Sequence, residues 1–158
     1  MATITIGIGD LKVCRAPDVL ITYALGSCVG ICLLDNVTNI GGLSHIMLPE
    51  SSGAGAASTP MRFADTAIPM LIRQMESMGA SRLRLKAKIA GGATMFAATN
   101  DKFNIGERNI DAVKRVLMQN HIPIIAEDIG LNYGRTQLFY PESGVMEIRA
   151  AAKGIRKF

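Results

Sequence analysis

The residues best suited to covalent chemistry are a cysteine set between glycines and a histidine further along the chain. Gly26 and Ser27 precede Cys28, Gly30 follows it, and His45 comes after a glycine pair. A thiol becomes a strong nucleophile only as a thiolate, and a nearby imidazole can lower its pKa to about 3.5–7.5. Glycines favour a tight backbone corner at which peptide N–H groups can bind an oxyanion. The pattern predicts Cys28 as a nucleophile and His45 as its base.

A β-hairpin is the element that must bring these two side chains together. The apolar runs Val29–Leu34 and Ile40–Leu48 flank turn-forming residues 35–39, which predicts two antiparallel strands with a short connection. In that register His45 lies opposite the neighbourhood of residue 29, within one residue of Cys28. The hairpin therefore predicts that the imidazole returns to the thiol.

The opposing interpretation is that Cys28 is an ordinary core residue. Free cysteine is among the most buried residue types and usually behaves as a small hydrophobe. Cys14 and Cys32 fit that description, since each lies in an apolar run. For Cys28 the flanking glycines and the returning histidine leave both interpretations open.

Composition favours one domain over residues 1–158. The chain has 158 residues, of which 49% are hydrophobic and 19% charged, which is typical of a compact globular protein and excludes disorder. Three cysteines cannot all pair, and no signal-like segment opens the chain, so we expect a cytoplasmic protein. No apolar run approaches the roughly 20 residues that span a bilayer, so we expect no membrane insertion.

Several binding functions are disfavoured by the sequence. The net charge is +4, partly from a short basic tail, and aromatic residues make up 5%, so nucleic-acid binding is not expected. The histidines and cysteines lack the paired spacing of a zinc site. Gly91-Gly92 forms a permissive bend but belongs to no nucleotide-binding motif. We therefore expect neither a cofactor nor a metal.

Strands outnumber helices and mostly connect by short turns, which predicts an α+β fold rather than a doubly wound parallel sheet. The first two strands are expected to form an antiparallel opening, residues 49–60 a mobile loop near the site, and residues 95–101 an exposed loop. Residues 49–60 suit either a lid over the site or a simple connector. The expected strands are Thr3–Ile8, Leu11–Cys14, Val19–Tyr23, Val29–Leu34, Ile40–Leu48, Arg82–Ala90, Pro123–Ile129, Thr136–Tyr140 and Val145–Ala150, and the expected helices are Arg62–Met78 and Ile105–Gln119.

Five separated motifs together resemble one family. They are Leu25–Val29, Gly41–His45 with Leu48-Pro49, Ala87–Phe96, Ile105–Asn109 and Gly134-Arg135. In this order the chain resembles the CheD family of chemoreceptor glutamine deamidases over nearly its whole length. The resemblance implies a fold similar to the catalytic domain of the cytotoxic necrotizing factor toxins, with mixed, largely antiparallel sheets packed in layers with flanking helices.

The resemblance also implies a Cys-His-Thr site. It makes Cys28 the nucleophile, His45 the general base and Thr22 the group that orients the imidazole. Around them we expect Gly26, Ser27 and Ser44 to bind the oxyanion or the substrate.

The implied activity is deamidation of receptor glutamine to glutamate with release of ammonia. The substrate would be the cytoplasmic helical bundle of a chemoreceptor. An alternative function is a regulatory module that binds and stimulates CheC, a phosphatase of the phosphorylated response regulator CheY. A third is a generic thiol amidase of small molecules, which would release ammonia from free glutamine.

Overall fold

Three layers make up the fold. The computed structural model describes residues 1–51, 58–94 and 104–158, and in these residues two five-stranded sheets pack face to face. Two helices cover the other face of the second sheet. One apolar cluster fills the space between the sheets, and a larger one lies between the second sheet and the helices.

The second sheet, sheet B, is therefore the central layer. The strands are β1 (Thr3–Ile6), β2 (Leu11–Arg15), β3 (Val19–Leu25), β4 (Val29–Asp35), β5 (Ile40–Ile46), β6 (Lys86–Gly91), β7 (Ile124–Ile129), β8 (Arg135–Tyr140), β9 (Val145–Ala150) and β10 (Gly154–Lys157), and the helices are α1 (Ala64–Met78) and α2 (Ile105–Gln119). Sheet A has the strand order β1-β3-β8-β9-β10, and sheet B has the order β2-β5-β4-β6-β7.

The predicted class is confirmed. β1 pairs with β3 and β6 with β7 in parallel, and the other paired strands of the described residues run antiparallel. This is an α+β fold with mixed, largely antiparallel sheets in layers and flanking helices. Its similarity to the cytotoxic necrotizing factor catalytic domain stays a prediction.

Strand β5 carries the candidate base and is buried along its whole length. Its successive side chains alternate between the two faces of sheet B. A Cβ at Gly42 would lie 2.7 Å from Leu71 of α1, whereas a Cβ at Gly41 would lie 2.6 Å from Pro141 beside sheet A. The glycines let both outer layers approach closely, and His45, in phase with Gly41, faces sheet A.

Both helices confirm the apolar periodicity of the sequence. α1 begins at Ala64 and not at Arg62, it contains Pro69, and Gly79 ends it with a φ of 116°. The bounds of α2 are as predicted. Its buried side chains include Ile110, Val113, Val116 and Leu117, which recur at helical spacing.

The predicted antiparallel opening is wrong. β1 pairs in parallel with β3 in sheet A, while β2 pairs with β5 in sheet B. The intervening turn is bound to β5, because Gly9 N donates to His45 O at 2.9 Å and His45 N donates to Asp10 O at 3.0 Å. The short glycine turn therefore crosses between layers instead of closing a hairpin.

The strand predicted at Arg82–Ala90 is also too long. Arg82–Arg84 forms a 3-10 helix and the strand begins at Lys86. The Arg84 guanidinium donates to both carboxylate oxygens of buried Asp35 at 2.8 and 2.7 Å, which holds this segment against the β4–β5 turn. The charged residues at the start of this segment therefore belong to a turn that an ion pair holds in place, and not to a strand.

The short basic tail forms the edge strand β10, whose residues are mostly exposed. Arg156 within it donates to Asp128 at 2.8 Å and to the Tyr133 hydroxyl at 2.7 Å. The loop predicted at residues 49–60, either a lid or a simple connector, falls mostly on residues 52–57. Those residues and the loop predicted at 95–101 lie outside the described residues. No helix of the described residues has the length and apolarity needed to cross a bilayer.

Candidate active site

The predicted hairpin is confirmed, with β4 and β5 as its strands. Gly30 lies opposite His45 and Val29 opposite Ile46. Cys28 precedes Gly30 by two residues and packs against the apolar cluster between the sheets, so it shares the face of sheet B that carries His45. In an antiparallel pair such diagonal neighbours have Cα atoms about 7–8 Å apart.

The tautomer of His45 follows from its contact with Thr22. Thr22 Oγ1 lies 2.7 Å from His45 Nδ1 and 2.8 Å from the carbonyl oxygen of Ile6. A hydroxyl has one proton, and a carbonyl can only accept, so Thr22 donates to Ile6 and accepts a hydrogen bond from His45 Nδ1–H. The proton of the neutral imidazole is therefore on Nδ1, and Nε2 carries the lone pair of a base.

A bulge in β3 lies between Thr22 and the cysteine. The pairing of β3 with β8 shifts by one residue between Thr22 and Leu25, and Ala24 has a φ of 60°. Bulges of this kind redirect side chains and are common beside active sites. Here Thr22 lies before the bulge and points toward His45, between the two sheets. The bulge then changes the direction of the chain just before Cys28.

His45 is fully buried, and its Nε2 has no hydrogen-bond partner among the described residues. Burial lowers the pKa of His45 to about 4. At neutral pH the imidazole is therefore uncharged and can accept a proton.

The thiol of Cys28 does not have the depressed pKa that the sequence led us to expect. Burial raises its pKa above the usual value, and its own peptide N–H offsets part of that shift. Cys28 makes no hydrogen bond to His45 within the described residues. Both groups are therefore neutral at neutral pH, and a nucleophilic attack by Cys28 would require the thiol to lose its proton during the reaction.

The cysteine corner, residues 26–28, directs its three carbonyl oxygens into the protein. Each oxygen accepts a hydrogen bond from a different donor. The pairs are Ala93 N to Gly26 O at 2.9 Å, Asn109 Nδ2 to Ser27 O at 2.9 Å, and Gly92 N to Cys28 O at 2.8 Å.

The N–H groups of the cysteine corner are less engaged. Gly26 N donates to Ala24 O at 3.0 Å, whereas the N–H groups of Ser27 and Cys28 have no acceptor in another described residue. A trans peptide directs its N–H opposite to its C=O. With the carbonyls held inward, these two N–H groups are available to a developing oxyanion.

The glycine pair at the end of β6 supports the corner. Gly91 has a φ of 106°, and a Cβ there would lie 2.2 Å from Cys28 O. Gly92 has a φ of 68° and donates to that same oxygen. The bend predicted from these glycines is confirmed, and it serves close backbone contact with the cysteine.

The other predicted residues lie apart from this arrangement. Ser44 is buried opposite Ile31 on the helix-facing side of sheet B, and the structure does not bring its hydroxyl to His45. Cys14 and Cys32 are 4% and 0% exposed, as expected of core cysteines. The described residues contain no group of three or more His, Cys, Asp or Glu side chains suited to a metal ion.

Asn109 is the residue of this region to which sequence reasoning assigned no role. It appears in the motif Ile105–Asn109, but only the structure reveals that its amide reaches the cysteine corner. Its helical phase gives a weak signal, since Asn109 falls on the inward face of an amphipathic helix where an apolar residue is the norm.

Comparison with known proteins indicates the family to which the chain is similar. The family profile described as CheD, chemotactic sensory transduction, matches residues 47–150. The chain is 54% identical over 155 residues to the "Probable chemoreceptor glutamine deamidase CheD" of Clostridium novyi, covering 97% of this chain and 96% of that protein.

Relatives with the same name occur in other organisms. The protein of Clostridium acetobutylicum is 47% identical over 156 residues, covering 98% of this chain and 94% of its own length. That of Syntrophomonas wolfei is 50% identical over 155 residues, covering 97% and 96%.

Proposed function

The chain belongs to the CheD family, and from that premise we propose that it deamidates chemoreceptor glutamine side chains through a thioester formed on Cys28. One observation supports the proposal. The hydrogen bond from His45 Nδ1 to Thr22 leaves the basic Nε2, which has no partner in the described part of the chain, on the sheet face that also carries Cys28.

The first half of the reaction forms the thioester. His45 Nε2 takes the proton of the Cys28 thiol while the sulfur attacks the glutamine carboxamide carbon. The carbonyl oxygen gains negative charge, which the N–H groups of Ser27 and Cys28 stabilise. One well-aimed donor of this kind contributes about 3–4 kcal/mol.

The second half releases the products. The His45 imidazolium returns its proton to the leaving nitrogen, so ammonia departs and the acyl group stays on sulfur. His45 then takes a proton from water as its oxygen attacks the thioester. Glutamate is released, and the sulfur recovers the proton from His45. Thr22 keeps Nδ1 protonated throughout, so Nε2 remains the exchanging nitrogen.

The substrate and setting follow from the same premise. The cytoplasmic helical bundle of a chemoreceptor supplies the glutamines, and the reaction takes place in the cytoplasm, where unpaired thiols such as Cys14, Cys28 and Cys32 persist. Residues 1–158 act as one catalytic domain, because sheet B is shared by both apolar clusters.

The site favours an enzyme over a purely regulatory module. Binding and stimulating a CheC-type phosphatase requires a surface and not a thiol. An oriented histidine and two N–H groups with no acceptor in another described residue have no use in such a module, whereas deamidation requires all of them.

Peptide mapping of a receptor cytoplasmic fragment tests the proposal. We expect the wild-type chain to convert receptor glutamine to glutamate, Cys28→Ala to lose this conversion, and Cys32→Ala, the matched control four residues along the same face, to keep it. Undiminished conversion by Cys28→Ala would refute the assignment. Free glutamine, offered in parallel, should release no ammonia.

A further inference from the structure

Asn109 is a buried polar side chain that the reaction above does not use. It lies within α2 and is 0% exposed. Asparagine is a poor helix former, and a buried amide is costly unless it is hydrogen-bonded. Its presence at a core position therefore calls for a specific partner.

The partners are two backbone carbonyls at the edge of the candidate site. Asn109 Nδ2 donates to Ser27 O at 2.9 Å and to Met47 O at 3.0 Å. Both neighbours can only accept, so the amide must present its NH₂ group to them, and its orientation is determined. One side chain thus ties the segment before β4 to the segment after β5.

We propose that Asn109 is a positioning residue that aims the N–H of Cys28 at the oxyanion. The inference rests on the proposed function. Ser27 C=O and Cys28 N–H belong to one planar trans peptide, so they point in opposite directions. Holding Ser27 O against Asn109 directs the Cys28 N–H away from α2.

The second hydrogen bond of Asn109, to Met47 O, helps to position His45. Met47 follows His45 by two residues at the end of β5, so the amide fixes the cysteine corner and the strand of His45 relative to each other. Close backbone packing holds α2 in place, since a Cβ at Gly106 would lie 2.3 Å from Ala93 O. A displacement of about 1 Å in such an arrangement costs about 10²-fold in rate.

Two variants remove the donor in different ways. Asn109→Ala deletes the amide, and Asn109→Asp keeps its shape but replaces NH₂ by an oxygen that repels the carbonyls. Asn120→Ala is the matched control, because Asn120 Nδ2 donates to Val116 O at 2.8 Å at the far end of α2. Each is assayed as the full chain on the receptor fragment for kcat and KM.

Alkylation by iodoacetamide separates positioning from folding. Displacement at a saturated carbon develops no oxyanion, so it reports thiol access without requiring the aimed N–H. Cys14 and Cys32, which are 4% and 0% exposed, react only if the fold opens. The three thiols, resolved by peptide mapping, therefore report access to the site and integrity of the core in one sample.

We expect both Asn109 variants to lose about 10- to 100-fold in kcat with KM nearly unchanged. Cys28 should be alkylated within about threefold of the wild-type rate, with Cys14 and Cys32 protected, and Asn120→Ala should match wild type. A kcat within twofold of wild type, a change confined to KM, or rapid alkylation of Cys14 and Cys32 in both variants would overturn the proposal. Failure of the wild-type chain itself to deamidate would instead refute the proposed function.

Discussion

Cys28 and Cys32 lie on the same face of one strand segment, yet their surroundings differ sharply. Cys32 is 0% exposed between the two sheets, where Gln137 Nε2 lies 3.3 Å from its sulfur. Cys28 is partly buried at the corner where β4 begins. Burial raises the pKa of both thiols, so thiolate stability does not explain which of them is suited to react.

Exposure and local contacts distinguish the two cysteines. By register both cysteines are diagonal neighbours of His45, because Gly30, which lies opposite His45, is two residues from each of them. Cys32 is closed off from solvent and its sulfur contacts Gln137 Nε2, whereas Cys28 is partly exposed and its peptide N–H has no acceptor in another described residue. The same residue type is thus a core residue in the middle of the layer and the proposed nucleophile at its open end.

Removing the proposed base should leave Cys28 nearly as unreactive toward glutamine as Cys32. We expect His45→Gln to lower kcat about 10³-fold, since general acid–base catalysis contributes about 10²- to 10⁴-fold. Ammonia release from the receptor fragment measures it. His121→Gln, at the exposed end of α2, is the matched control and should retain full activity. A loss below tenfold in His45→Gln would remove His45 from the mechanism.

Acid should destabilise the protein through the same histidine. The folded pKa of His45 is about 4, against about 6.5 for an unperturbed histidine, so the unfolded chain binds a proton first as the pH falls through that window. The free energy of unfolding should fall by roughly 2–3 kcal/mol between about pH 7 and about pH 4.5.

Urea unfolding of wild type and His45→Gln isolates this contribution. The Arg84 guanidinium holds the carboxyl pKa of Asp35 well below its ordinary range, so Asp35 stays ionised in both folded proteins. Its contribution to the pH dependence of stability is therefore the same in both and does not affect their difference. An equal loss of stability in the two proteins would contradict the buried neutral imidazole.

Losing the hydrogen bond that fixes the tautomer of His45 should have a smaller effect on kcat. Thr22→Val removes the acceptor of Nδ1–H at nearly constant volume, so we expect kcat to fall about tenfold, the value of one hydrogen bond of about 1–1.5 kcal/mol. Thr38→Val is the control, because Thr38 Oγ1 has no partner among the described residues. Equal rates in both variants would mean that Thr22 does not orient the ring.

The smallest effect on activity is expected at Cys32. Cys32→Ala should keep kcat within about twofold and lower the free energy of unfolding by about 1–2 kcal/mol, because it leaves a small cavity between the sheets. Steady-state kinetics and urea unfolding measure the two quantities. A large loss of activity without loss of stability would show that the middle of the layer takes part in the chemistry.

Local features of the sequence predicted much of the fold and the core of the site. Alternation and turn residues identified the β4–β5 hairpin and therefore the register of His45, because a shift by one residue would move the imidazole to the helix face. Helical periodicity predicted α2 to the residue. The roles of Cys28, His45 and Thr22 required the family resemblance in addition.

What the sequence did not predict depends on contacts between distant segments. The partner strands of β1 and β2 lie in different sheets. Strand β10 is stabilised by contacts with Asp128 and Tyr133, which the sequence of β10 alone does not predict. The pKa of Cys28 depends on burial between layers, and the hydrogen bonds of Asn109 join segments far apart in the chain. Such contacts follow from tertiary packing and not from local pattern.

The central claim is that the Cys28 sulfur bonds to the receptor's side chain, and acid quenching during turnover tests it most directly. We predict an adduct with the combined mass of this chain and the receptor peptide less ammonia, mapped to Cys28, present in Cys32→Ala and absent in Cys28→Ala. Deamidation that proceeds with no such adduct, or with an adduct on any other residue, would contradict the account.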